Sequence, residues 1–332
     1  MFKRIFAIFA CLAVVGLITI SEGQQGSQKQ SGGPKLAPVQ IGDKWGYIDK
    51  TGKFVINLQF DVANSFSEGL AAVSTGGKIG YIDKTGKIVI EPQFDLAYSF
   101  SEGLAGVCIG NECPIRGKFG YINKVGAYVI NSQFDLAWDF SEGLARVCVG
   151  SSLCIGSKYG YIDKTGKFLI NLQFDGAEDF SEGLAPVSTG GKMGYIDKTG
   201  KVVINPQFNW ARPFSEGLAS VNTYGVYSGK SGFKYGYIDK AGKFVIEPQF
   251  DDAKDFSEGL AVVKIGGKYG FIDKTGKIVI NPQFDWAWSF SEGLASVCIG
   301  CDERAEGGKW GYIDKTGKIV INPQFDWAGD FK

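Results

Sequence analysis

From Leu36 to its end the chain is one short motif written eight times. The clearest copy runs Lys268-Tyr-Gly-Phe-Ile-Asp-Lys-Thr-Gly-Lys-Ile-Val-Ile-Asn-Pro-Gln-Phe-Asp-Trp-Ala-Trp-Ser-Phe-Ser-Glu-Gly-Leu-Ala295. A unit this small cannot bury enough surface alone, so it must stack on its neighbours. The Lys-x-Gly start recurs at Lys44, Lys78, Lys118, Lys158, Lys192, Lys234, Lys268 and Lys309, at spacings of 34, 40, 40, 34, 42, 34 and 41 residues. The longer spacings all carry their extra residues between Leu-Ala-x-Val and the next Lys-x-Gly. The 48 glycines recur at fixed places in the motif and are read as turn markers.

Three strands are legible in each unit: Leu70-Ala-Ala-Val73, then Trp45-Gly-Tyr-Ile-Asp49 and its equivalents, then Phe54-Val-Ile56. Lys50-Thr51-Gly52 between the last two has the form of a three-residue hairpin loop closed by a left-handed glycine, kept in every unit from Gly52 to Gly317. In Leu-Ala-x-Val the alternation predicts Ala71 and Val73 toward the core. The variable column (Ala72, Gly106, Arg146, Pro186, Ser220, Val262, Ser296) is expected toward solvent, on an edge strand that tolerates Pro38 and Pro186. In the connector, Phe60, Ala63 and Phe66 sit three apart, which predicts one turn of helix capped by Asp61, and Gly69 should reverse the chain with a positive φ. The expected fold is all-β: three-stranded antiparallel meanders stacked into an open twisted array. The alternative is a closed, eight-unit, propeller-like ring, in which the terminal units touch.

The pattern resembles the WG (KWG) repeat family over Leu36 to Phe331. The name-giving pair stands only at Trp45-Gly46 and Trp310-Gly311; elsewhere the aromatic is Phe119, Tyr159, Tyr235 or Tyr269, or gives way to Ile79 or Met193. The resemblance implies a β-rich repeat domain of bacterial proteins and brings no catalytic residue with it.

Residues 1–23 read as a cleaved export signal: Lys3 and Arg4, an apolar run from Ile5 to Ile20, and the small-x-small Ser21-Glu22-Gly23. A flexible linker follows over 24–35, then the repeat domain over 36–332. The expected destination is bacterial and outside the cytoplasm: periplasm, cell surface or medium, with no membrane span once the signal is removed. Six cysteines outside the signal, Cys108, Cys113, Cys148, Cys154, Cys298 and Cys301, lie only in the enlarged loops, two to each. One local disulfide per loop is the simplest account. Pairing of Cys108 with Cys148 is an alternative, and Cys298-Ile-Gly-Cys301 also has redox or metal spacing.

Function is less legible. With 35 basic and 35 acidic residues no basic stripe stands out, which argues against nucleic acid. The absence of histidine removes His triads and His metal sites. Asp49, Asp61 and Glu68 recur in nearly every unit, whereas a catalytic carboxylate needs a singular environment. Neither an enzyme nor a cofactor or metal site is therefore expected. The singular residues flank the connector alanine. Tyr98, Trp138, Trp210, Trp286, Trp288 and Trp327 form a candidate aromatic binding surface, unless they pack between units. The expected role is an exported scaffold that binds an envelope or extracellular protein. A glycan- or peptidoglycan-binding module is the alternative.

Overall fold

A computed structural model describes residues 33–110, 113–227 and 230–332. The expected leader and most of the linker lie outside the described residues. The fold is eight four-stranded antiparallel sheets arranged as the blades of a closed β-propeller. Blade 2 shows the plan. An inner strand Val62–Ala63 is followed by a first strand Leu70–Thr75, a middle strand Lys78–Asp83 and an outer strand Ile88–Phe94. The open array is overturned and the ring is what forms. The closing contact joins the two ends of the domain: Val39 and Gln40 in Ala37–Ile41 pair with Ala328 and Trp327. Leu36 and Lys332 exchange both backbone hydrogen bonds at 3.1 Å.

The connector is not helical. Its middle is the two-residue inner strand, a fourth strand that the sequence reading missed. Asp61 caps no helix; it clamps the crossing between blades. Its Oδ1 accepts from Lys44 Nζ at 2.7 Å and its Oδ2 from the backbone amide of Gly76 in the next blade's hairpin at 2.8 Å. The hydrogen bond from Lys44 is the main reason its carboxyl titrates below the usual range. The same clamp closes the ring, with Asp326 taking Lys309 and the amide of Gly42. Asp49 orders the middle–outer turn by accepting from Thr51 N and Oγ1 and from Lys53 N.

The two faces of each blade explain why the blades stack. The middle and outer strands of blade 1 present Trp45, Tyr47, Ile56 and Phe60. These pack on Ala63, Ala71, Val73 and Ile82 of blade 2, with Phe66 beside them. A bulky face thus meets a small one, and this repeats around the ring until Trp310, Tyr312, Ile321 and Phe325 of blade 8 meet Ala37, Val39, Ile48 and Ala328 of blade 1. Both faces of every blade are therefore interior. That corrects the reading of the variable column: Ala72, Arg146, Ser220, Val262 and Ser296 are buried. They face the next blade near the axis, and their variety reflects different neighbours rather than solvent.

The prolines of that column also find another explanation. Their strand is not an edge, but only one ladder bond is made there: Asn64 N donates to Ala72 O, as Glu178 N does to Pro186 O and Gly329 N to Pro38 O. The opposing carbonyl, Asn64 O, is taken instead by Tyr47 Oη of the preceding blade at 2.8 Å. A missing N–H at that position leaves no acceptor waiting.

Candidate interaction face

In an antiparallel meander the inner–first and middle–outer turns open on one side of the ring. The first–middle hairpins and the blade crossings open on the other. The first side is a regular belt. Ser67-Glu68-Gly69-Leu70 is a tight turn with Glu68 at φ 52° and Gly69 at φ 90°, so the positive φ expected of the glycine extends to the glutamate as well. A glutamate held there costs of order 1 kcal/mol, but the turn aims its carboxylate at the next blade. Glu68 accepts from Gly103 N at 3.0 Å and pairs with Lys124 at 3.0 Å, and the pattern recurs from blade to blade. Every recurring carboxylate class expected to be structural (Asp49, Asp61, Glu68) is thus engaged in holding turns or blades.

The second side carries all four enlargements. Blades 3, 4 and 8 have hairpins closed by Cys108–Cys113, Cys148–Cys154 and Cys298–Cys301, so the pairing is local. Blade 6 instead extends its hairpin strands to Ala219–Tyr227 and Lys230–Ile238. Each enlargement exposes large apolar groups: Ile115, Ile155 and Ile299 on the stapled loops, and on the long hairpin the directly paired Tyr224 and Phe233, 61% and 52% exposed with ring centroids 5.1 Å apart. The clamp pairs neutralise most of the lysines beneath: Lys44, Lys78, Lys118, Lys158, Lys234, Lys268 and Lys309 each meet an acidic partner, and Lys192 donates to the amide oxygen of Asn209. This face is thus apolar in its projections and balanced in charge. Reasoning from the sequence did not find Ile115, Ile155, Tyr224 and Phe233, because they lie in insertions, where the motif offers no register to compare; Ile299 ends a first strand at the position that Ile41 and Ile265 hold in unenlarged blades.

The six aromatic candidates lie elsewhere. Tyr98, Trp138, Trp210, Trp286, Trp288 and Trp327 are all half-buried on or beside the inner strands around the axis. Trp327 packs on Trp45 and Trp310, and Tyr98 stacks on Phe119. Trp210 packs against the core between blades 5 and 6. The remaining three meet internal cations. The Arg146 guanidinium lies 4.3 Å from the Trp138 ring; Lys254 Nζ lies 3.5 Å from Trp288 and 5.5 Å from Trp286.

Those cations belong to an ionic cluster confined to blades 4 to 7. Arg146, 4% exposed, meets Glu178 at 2.9 Å and Asp179 at 3.0 Å and also donates to Ala177 O. The Arg146 Nε to Asp179 Oδ1 contact is ionic rather than a well-directed hydrogen bond. Burial pushes the carboxyls of Glu178 and Asp255 up. Asp139, whose Oδ1 is sealed from solvent with no hydrogen-bond partner among the described residues, is pushed to about 7, first by burial and then by Asp179; Arg146 and Lys332 pull the other way. Native Asp139 therefore holds its proton more tightly than the unfolded chain. Its contribution to stability is full below the ordinary carboxylate range and is lost as pH rises toward 7. Asp139→Asn is expected to flatten the fall in melting temperature between pH 4 and pH 7, and to raise stability at pH 8 by roughly 2 kcal/mol after allowance for partial exposure. Calorimetry across that range checks it.

The geometry accounts for the glycine of the repeat's signature. A Cβ on Gly46 would stand 2.6 Å from Ile56 O, and on Gly311 2.5 Å from Ile321 O, because the outer strand bulges across it in every blade. It is a crossing point and not a turn, against the sequence expectation. Models of the WG containing repeat match residues 45–78, 79–113, 119–151, 159–192, 193–227, 235–269, 269–300 and 310–332. The chain belongs to the WG repeat family. Comparison with curated protein sequences finds no match. Among solved structures this WG-repeat chain is similar to puromycin hydrolase (13% identity, TM-score 0.43, covering 82% of this chain and 60% of that one). It is also similar to Hsv2p of Kluyveromyces lactis (10%, 0.47, 80% and 96%) and Sqt1 of Saccharomyces cerevisiae (12%, 0.44, 85% and 91%). The chain spans 60% of the hydrolase, less than two thirds, and these distant likenesses bear on neither activity nor partner.

Proposed function

We propose that this WG-repeat propeller is an exported scaffold that binds another protein at the cell envelope through the face bearing its enlarged hairpins. The observation that carries the reading is the gathering of all four enlargements, with Ile115, Ile155, Tyr224, Phe233 and Ile299 exposed, on one side of the ring. Exposed aromatic and aliphatic anchors on stiff supports lose little conformational freedom on binding. The staples supply that stiffness, since closing loops this short limits the unfolded chain by roughly 2 kcal/mol each. Export is supported by the leader-like N-terminus and by three disulfides, which persist in oxidising compartments. The engagement of the recurring carboxylates in turns and clamps supports a binding rather than a catalytic role.

The glycan reading rests on free aromatic faces. Arg146 and Lys254 lie against Trp138 and Trp288, which leaves Tyr224 and Phe233 as the exposed aromatic pair of the loop face. The test is capture of envelope proteins by the immobilised oxidised protein and by a Tyr224→Ser, Phe233→Ser variant. Retention of one defined protein, lowered at least about tenfold in affinity by the double change, is expected. Retention of peptidoglycan oligosaccharides alone would favour the glycan reading.

A further inference from the structure

On the belt side of the ring the Ser-Glu-Gly turns lend carboxylates from blade to blade. Six glutamates, from Glu68 to Glu258, each accept from the turn glycine's amide in the next blade and pair with a lysine of that blade. The lysine also donates to the glutamate's own carbonyl, as Lys124 Nζ does to Glu68 O at 2.9 Å. Blade 1 breaks the pattern, because Pro34-Lys35 stands where the motif has Glu-Gly. Lys84 of blade 2 still reaches the carbonyl, donating to Pro34 O at 3.0 Å, but no acidic group lies within ion-pair distance of it among the described residues. The amide of Gly69, equivalent to those that meet a glutamate elsewhere, has no hydrogen-bond partner among the described residues either. Lys84 is half-buried, 5.9 Å from the Phe66 ring, whereas six of its equivalents are exposed. The more sheltered cation is therefore the one without a carboxylate. Burial and then the nearby Lys35 ammonium lower its pKa, and the one carboxylate near them, Glu292, is shared by Lys35 at 2.9 Å and Lys50 at 3.4 Å.

We propose that Gly69 N and Lys84 Nζ form a binding site for the carboxylate of a second molecule, at the place that the repeat's own glutamate fills in six other blades. The amide donates to one carboxylate oxygen and the ammonium pairs with it, the charge-assisted arrangement that the other turns display. Lys35 adds a further positive charge beside it. Pro34 already supplies the carbonyl, so the ligand needs to bring only its acid group. Gly69 is exposed, which leaves the donors open to solvent. The segment leading into Pro34, residues 24–33, has no aspartate or glutamate, so that segment has no side chain to supply the acid. The site lies on the belt side, and its occupation leaves the enlarged-loop face free.

Propionate, the glutamate side chain cut at Cα, is the probe, and the amide resonance of Gly69 in the purified, glycine-labelled protein is the readout. The expected result is a saturable shift, half-complete at about 10 mM as befits one amide and one partly exposed ammonium, with none from neutral propionamide. Gly103, whose carboxylate comes from Glu68, should not respond. Lys84→Gln should weaken the response about tenfold or more. Pro34→Glu with Lys35→Gly writes the motif's Glu-Gly into blade 1; it should move the Gly69 resonance without ligand and abolish the response to propionate. Melting curves matching the unchanged protein show that the variants fold. Acetyl-Gly-Glu-Gly-amide, which carries only a side-chain acid, separates the sources: tighter binding than propionate assigns the carboxylate to a protein side chain, and no advantage assigns it to a small free acid. A Gly69 resonance that propionate does not shift saturably, or a shift that Lys84→Gln leaves intact, would overturn the proposal.

Discussion

Gly194→Ala is expected to destabilise the propeller by about 3 kcal/mol, at the upper end of what overpacking a close interior contact costs. The new methyl would stand 2.4 Å from Ile204 O and 2.6 Å from Pro206 N. Both are backbone atoms of the outer strand crossing over it, so no rotamer change relieves the clash. Gly183→Ala in the same blade is the comparison. Its φ of 87° strains any side chain, but nothing lies within 4 Å of the added methyl, and a cost of about 1 kcal/mol is expected. Urea denaturation of the two variants separates close approach from backbone strain. Equal losses would mean that the outer strand does not cross at this distance.

Arg146→Ser carries the second large effect. The arginine is buried between blades 4 and 5 and compensates Glu178 and Asp179, both themselves buried. Removing it strands two carboxylates in a poorly solvated interface, an expected loss of about 3–5 kcal/mol. The loss should shrink as pH falls, because protonated carboxyls no longer need the cation. The repeat supplies its own rescue. At the corresponding places blade 2 carries Asn64 and Ser65, and blade 6 carries Ser220, where Arg146 stands in blade 4. Arg146→Ser combined with Glu178→Asn and Asp179→Ser should recover most of the stability. Calorimetry of the single and triple variants at pH 5 and pH 8 reads both effects; a triple variant no better than the single one would place the cost in packing rather than charge.

The strands of this fold were legible because each is short, alternating and punctuated by the same glycines eight times. Gly52 and its equivalents adopt the left-handed conformation that the Lys-Thr-Gly loop implied. Ring closure was harder to read. It depends on the angle between blades and on Gln40 meeting Trp327 from the far end of the chain, and no local pattern encodes either. The spacing of Phe60, Ala63 and Phe66 misled because a two-residue strand flanked by bends also brings every third side chain to one interior. The variable column misled because solvent is not the only source of variability: in a blade buried on both faces, each position answers to a different neighbour. The candidate site was read in part. The singular aromatics beside the connector alanine were visible, as was Lys254 in the same column, but that Arg146 lies over Trp138 on the neighbouring strand of its own blade, and Lys254 over Trp288 of the next blade, follows only from the inner strand's pairing and the stacking of blades. The enlarged loops were visible as insertions; that they share one face follows only from the meander closing into a ring.

The most direct test of the loop face is a photo-activatable side chain placed in turn at Phe233 and Ile155, on the enlarged hairpins, and at Thr199, on the opposite belt. Irradiation of cells followed by identification of the adducts gives the answer. The account predicts one and the same protein joined to the propeller from Phe233 and from Ile155, and none from Thr199. Adducts from Thr199 alone, or from all three positions without preference, would contradict it.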